Sequence, residues 1–254
     1  MVTIDTHAHI YADQFDEDRA EMINRAKDAG VSKILLPNID LESIEGLNKL
    51  VEDYPDYCYK MMGLHPCSVE ANYKEVLEEI ESNIDSNTIA IGEIGIDLYW
   101  DKTTQGIQEE AFKIQCQWAI DRNLPVAIHS RESTDLIIDI IEDNFKGDLQ
   151  GVFHCFTGTK EQAARIADLN MYMGLGGVLT FKNSGLKDVV PHIPLELLIL
   201  ETDSPYLAPT PYRGKRNEPA YVVEVFNHLC DALSMDAQTL STALEANSLK
   251  LFRI

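Results

Sequence analysis

Basic residues are scarce in this chain. Lys and Arg number 21 against 42 Asp and Glu, a formal net charge of −21 over 254 residues. That imbalance argues against a protein that coats nucleic acid or anionic membrane through a broad basic face. A polyanionic substrate would have to meet a local positive centre, which bound metal ions can supply. Long apolar runs are missing too. None approaches the roughly 18 residues of a transmembrane helix, so no membrane span is expected. No basic-then-apolar signal pattern precedes the first strand, and a cytoplasmic location is the expectation. The five cysteines (Cys58, Cys67, Cys116, Cys155 and Cys230) are scattered, with no Cys-x-x-Cys. Neither a disulfide framework nor a zinc ribbon is indicated, and reduced thiols are expected. Internal repeats, low-complexity tracts and Pro/Ser/Gly linkers are absent, so residues 1–254 read as a single domain.

What the chain does have is alternation. Short apolar runs at 2–6, 33–37, 57–64, 88–91, 125–129, 151–155, 171–174 and 197–202 predict eight strands. Amphipathic segments at 17–29, 41–54, 73–84, 105–122, 133–144, 160–169, 185–190, 220–233 and 237–252 predict helices. In the first of these, Ala20, Ile23 and Ala26 share a face and Gly30 ends the run. Strands alternating with helices imply a parallel sheet. Eight such units in about 250 residues match an α/β (β/α)8 TIM barrel; a doubly wound open sheet is the runner-up.

In a TIM barrel the chemistry gathers at the C-terminal ends of the strands. Five of the seven histidines fall there: His7, His9, His65, His129 and His154. Glu93 and Asp203 end two further strands. Side chains two apart on a strand face one way, about 7 Å apart, so His7 and His9 can grip one ion between them. Imidazoles and carboxylates at buried strand ends are costly unless paired or metal-bound, which weighs against a purely structural reading of the set. Glu93 has two oxygens and can bridge two metals; Gly92 and Gly95 beside it would let the backbone crowd a ligand. Asp203 can accept a proton from an attacking water, so Asp203 and Glu93 are the catalytic candidates. Glu201 shares the Asp203 face and is expected to support the site or pack inside the barrel. His65, before Pro66, is a substrate contact or a turn residue. Arg131, two beyond His129, can grip a phosphate oxygen, and Lys215 and Arg216 can meet a flanking phosphate or form a solvated loop. Alternation turns Cys155 away from His154, as a core thiol. His192 and His228 have no chemical role in this reading.

These residues sit in ordered motifs. They are His7-Ala8-His9, Gly63-Leu64-His65-Pro66, Gly92-Glu93-Ile94-Gly95-Ile96-Asp97, Ile128-His129-Ser130-Arg131, Phe153-His154-Cys155-Phe156-Thr157-Gly158, Glu201-Thr202-Asp203-Ser204-Pro205 and the Arg213–Pro219 loop. The set resembles the TatD family of metal-dependent deoxyribonucleases along nearly the whole chain. Ser130, where a cysteine is common, and Glu245-Ala246-Asn247-Ser248, where Thr-x-Asn is frequent, are departures that touch no ligand candidate. The resemblance implies a TIM barrel of the amidohydrolase-like superfamily holding two divalent ions, among Mg, Mn, Zn and Co. His7, His9 and Asp203 would hold one ion and His129 and His154 the other, with Glu93 between them. It also implies hydrolysis of phosphodiester bonds in DNA. Given the charge, strand ends with few phosphate contacts are the expected substrate, met by a monomer. A small-molecule amidohydrolase is the alternative, against which Glu93 stands where a bridging lysine is usual. A non-enzymatic metal scaffold is the other alternative, and it fits six ligands around an open mouth poorly.

Overall fold

The computed structural model describes residues 3–254, so Val2 of the first expected strand lies outside the described residues. The strands are β1 (Thr3–Asp5), β2 (Val31–Pro37), β3 (Cys58–Met62), β4 (Thr88–Asp97), β5 (Val126–Arg131), β6 (Gly151–Phe153), β7 (Tyr172–Leu175) and β8 (Leu198–Leu200). They form one parallel eight-stranded sheet in sequence order. The first and last strands close on each other. Thr6 N–H donates to Leu200 O at 3.0 Å, His9 N–H to Ser204 O at 2.7 Å, and Asp203 N–H to His7 O at 2.9 Å. Ala8 and Ser204 pair as an isolated parallel bridge. The result is the (β/α)8 barrel that the alternation predicts.

The helices are α1 (Arg19–Asp28), α2 (Ser43–Asp53), α3 (Tyr73–Ser82), α4 (Gln105–Arg122), α5 (Thr134–Asn144), α6 (Lys160–Asp168), α7 (Leu186–Val189), α8 (Val222–Leu233) and α9 (Ala237–Phe252). Local signals mark several of their ends. Thr159 and Gln162 build a capping box at α6, and the Asp236 side chain accepts from Thr239 N–H at α9. Asn123 takes a left-handed conformation (φ 53°) to end α4. Apolar strand residues and the inner helix faces merge into one core, with Ile34, Leu35, Met61, Ile91, Ile128 and Phe153 fully covered. Among the described residues no helix is long and apolar enough to cross a membrane.

Most expected boundaries lie close to the observed ones, and β4 departs furthest. It runs on to Asp97 instead of stopping near Ile91, and Ile94 to Asp97 pair with Ile128 to Arg131. The glycines that look like a turn in sequence are what let β4 lie against β5. A Cβ on Gly95 (φ 143°) would sit 2.0 Å from His129 O, and one on Gly92 would sit 2.8 Å from Ala127 Cβ. Their role is close backbone approach between strands, not room for a ligand.

Candidate metal centre

The strand ends bring six of the predicted residues around one carboxylate, itself predicted. Glu93, on β4, is 2% exposed. Its Oε2 faces His7 Nε2 at 3.2 Å and His9 Nε2 at 3.5 Å. Its Oε1 faces His154 Nε2 at 2.7 Å, His129 Nδ1 at 3.0 Å and His65 Nε2 at 3.4 Å. Asp203 Oδ1 completes the first side, 3.5 Å from His9 Nε2 and 3.9 Å from His7 Nε2. The donor atoms fall into three compact groups, His7/His9/Asp203, His7/His154/Glu201 and His65/Glu93/His129, each within 4.8 Å.

Burial disfavours the Glu93 carboxylate, but the surrounding imidazoles outweigh burial and hold it well below the usual carboxylate range. Asp203 is likewise kept ionised: burial pushes it up, and His9, His154 and His7 pull it down further. Burial also opposes charge on His154, yet Glu93 and Glu201 raise its pKa well above the ordinary value.

Hydrogen bonds behind the rings set their tautomers, and these divide the histidines. His9 Nδ1 lies 2.9 Å from Tyr11 Oη, whose own proton goes to Pro37 O at 2.6 Å. Tyr11 therefore accepts from Nδ1–H and leaves the His9 Nε2 lone pair facing the centre. His129 Nε2 lies 2.9 Å from Asp97 Oδ2, which leaves its Nδ1 lone pair facing Glu93. His154 Nδ1 is 3.5 Å from Glu201 Oε1, with Nε2 turned inward. For His9 and His129 this is the arrangement that metal-ligating histidines adopt, tied at the rear to an acceptor, whereas Nδ1 of His7 and of His154 has no hydrogen-bond partner among the described residues. His65 is built the opposite way. Its Nδ1 accepts Cys67 N–H at 3.1 Å, so the neutral ring carries its proton on Nε2, toward the cavity. His9 Nε2 and His129 Nδ1 thus present lone pairs inward beside the Glu93 and Asp203 carboxylates, a donor set suited to divalent ions, while His65 presents a donor.

Above this cluster opens a cavity of about 830 Å³, lined by His9, His65, Glu93, His129, His154 and Asp203 together with Trp100, Arg131 and Tyr206. Cys155 also lines it, which corrects the expectation of a core thiol. β6 ends at Phe153 and Cys155 is left-handed (φ 46°), so strand alternation no longer applies. Burial and the neighbouring carboxylates push its thiol far up, which keeps it protonated and a poor nucleophile. Arg131 reaches the cavity lip, exposed, with its guanidinium 3.8 Å over the Tyr99 ring. Lys215 and Arg216 do not line the cavity. The Arg216 guanidinium is bidentate on Asp18 (2.7 and 2.8 Å) and also bonds Gln14 O. Lys215 lies 5.9 Å from the Tyr212 ring.

Sequence reasoning gave no role to Asp97 or Tyr11. Both follow a ligand candidate at even spacing, Asp97 four after Glu93 and Tyr11 two after His9. A strand continued through the glycines would have put Asp97 on the Glu93 face. Glu201 is fully buried beneath the cluster, its Oε1 2.5 Å from Cys155 N.

Comparison with known proteins follows the same outline. The family model described as TatD related DNase matches residues 4–253. The chain belongs to the TatD-related DNase family. The chain is 38% identical over 252 residues to a Bacillus subtilis (strain 168) protein called uncharacterized metal-dependent hydrolase YabD, covering 98% of each. It is 31% identical over 257 residues to the 3'-5' ssDNA/RNA exonuclease TatD of Pectobacterium carotovorum, covering 98% of this chain and 99% of that protein. The crystal structure of the TatD homologue YJJV from Escherichia coli K12 superposes with a TM-score of 0.92 at 32% identity, covering 99% and 98% of the two chains.

Proposed function

We propose that this TatD-family chain is a metal-dependent exonuclease that hydrolyses phosphodiester bonds at the ends of DNA strands. The observation that carries this reading is the split of Glu93. One oxygen serves His7 and His9 beside Asp203, the other serves His129 and His154, and both groups lie at the floor of one open cavity. That division supports two divalent ions, Mg, Mn, Zn or Co, with Glu93 shared between them. Divalent ions so held supply Lewis acidity and neutralise charge at phosphorus.

The chain's own residues do the rest. Asp203, ionised and only partly covered, stands at the cavity edge and takes a proton from water at Oδ1. His65 donates from Nε2 to a phosphate oxygen, as its accepting Nδ1 requires. Arg131 grips a second phosphate oxygen from the lip. Relatives at about 31% identity carry the name 3'-5' ssDNA/RNA exonuclease, and that polarity belongs to the proposal. The test is cleavage of oligonucleotides labelled at either end, beside a closed circular duplex, with each metal supplied in turn. Shortening from the 3' end with the circle intact is expected; rapid cutting of the circle overturns the end-acting reading.

A further inference from the structure

Directly after β4 the chain turns through Leu98 and sets two aromatic rings in water. Tyr99 is 49% exposed and Trp100 69%. The rings meet edge to face with centroids 4.9 Å apart. The Arg131 guanidinium lies 3.8 Å over Tyr99 and 5.4 Å from Trp100. Among the described residues Arg131 forms no ion pair, in a chain whose net charge is −21. Scattered exposed apolar side chains are ordinary on proteins. These two are not scattered: Trp100 and Arg131 line the same cavity as Glu93, His129 and Asp203.

The turn is also fastened to the metal centre. Asp97 Oδ1 accepts the amide N–H of Tyr99 at 2.9 Å and of Trp100 at 3.0 Å, while Oδ2 lies 2.9 Å from His129 Nε2. One buried carboxylate therefore fixes both the ligand candidate and the aromatic turn. A mobile loop could not hold a ring at a set distance from the reacting phosphorus; this turn can.

We infer that Trp100 and Tyr99, with Arg131, form a stacking platform for an unpaired nucleobase next to the scissile phosphate. The base lies on the exposed aromatic surface and its phosphate meets the guanidinium. This rests on the phosphodiesterase reading above and narrows its substrate to single strands, because a paired base keeps its faces inside the duplex stack. Base–aromatic stacking works for every base, so the platform adds affinity without sequence preference. It also provides grip that does not depend on many phosphate contacts, which suits an acidic protein.

The chain has two tryptophans, and Trp118 is only 6% exposed. Fluorescence quenching by a bound base therefore reports Trp100. The first measurement is titration of the protein in excess chelator, where no cleavage occurs, with a thymidine tetranucleotide and with an abasic tetranucleotide of equal phosphate count. The thymidine probe should quench and bind about tenfold more tightly. Equal quenching by both, or binding of neither up to millimolar concentration, overturns the platform. The second is kinetics with metal restored. Trp100→Ala should raise KM for single strands about tenfold and shift KM for an abasic strand much less, and Trp100→Phe should recover most of the loss. An unchanged KM in Trp100→Ala overturns the inference. Should the wild-type protein bind the thymidine probe yet cleave no phosphodiester with any metal, the nuclease reading fails while the base platform stands.

Discussion

Asp97 Oδ2 rests 2.9 Å from Nε2 of His129. Burial pushes the Asp97 carboxyl up, but the bonds from His129 and from the Trp100 and Tyr99 amides outweigh it and hold the pKa at about 2. A carboxylate that stays charged behind His129 keeps the ring proton on Nε2 and the Nδ1 lone pair toward Glu93.

Asp97→Asn should therefore weaken metal retention by about 10- to 100-fold, the usual scale for removing the acceptor behind a ligating histidine. Isothermal titration of the apoprotein with Mn²⁺ or Zn²⁺ checks this. Affinity equal to the wild type's would separate Asp97 from the metal centre.

On the two-ion reading proposed above, Glu93→Ala should lower the bound metal toward one ion per chain, and activity should fall by at least about 100-fold. Chelation should abolish activity without unfolding the chain, since the barrel core is large and apolar. Metal analysis and circular dichroism decide the two points. Two ions still bound to Glu93→Ala would end the shared-carboxylate reading.

Asp203→Asn keeps the side-chain shape and an oxygen but loses the proton acceptor. The expected result is most of the metal retained and kcat reduced by about 10²- to 10⁴-fold. Full turnover in this variant would move the proton-accepting role elsewhere in the cavity.

Eight strands and the convergence of histidines and carboxylates at their ends were legible because barrel topology and strand-end chemistry leave strong marks: apolar runs, then histidine or carboxylate. Asp97 was not, because glycine has low strand propensity and Gly92 and Gly95 read as punctuation. Their strand identity comes from pairing with β5, which is a tertiary fact. The Cys155 orientation failed for the complementary reason, since alternation was carried past the last paired residue, Phe153. Arg216 looked like a free cation because its partner, Asp18, is remote in sequence.

That clasp gives a contrast with Arg131. Arg131→Ala should raise KM for oligonucleotides, whereas Arg216→Ala should leave KM in place and lower the melting temperature by about 2–4 °C. Wild-type binding should show a shallow salt slope, equivalent to about one to three phosphates. A slope of eight or more would require a broad basic face, against which the net charge of −21 argues.

The same clasp predicts an acid effect. Hydrogen bonds from Arg216 and Arg25 hold the Asp18 carboxyl below its ordinary value of 3.8. A folded pKa below the unfolded one means the unfolded chain takes up the proton first. The contribution is complete above that ordinary value and is lost as pH falls beneath it. Melting of wild type and Asp18→Asn from about pH 7 to pH 3 should show a steady gap that narrows below 3.8. A gap that widens on acidification would contradict the assignment.

The closure of β1 on β8 carries a consequence for how the protein is made. Thr6 bonds Leu200 across 194 residues of sequence, and Asp203 joins His7 and His9 only when that seam forms. During translation the paired histidines emerge long before their carboxylate partner, and contacts of such separation form late. The ribosome must release nearly the whole chain before the His7/His9/Asp203 group exists. Metal uptake is therefore a timestamp for barrel completion: a nascent chain halted ahead of β8 should bind no ion at the His7/His9 position with native affinity, however well its earlier strands have folded.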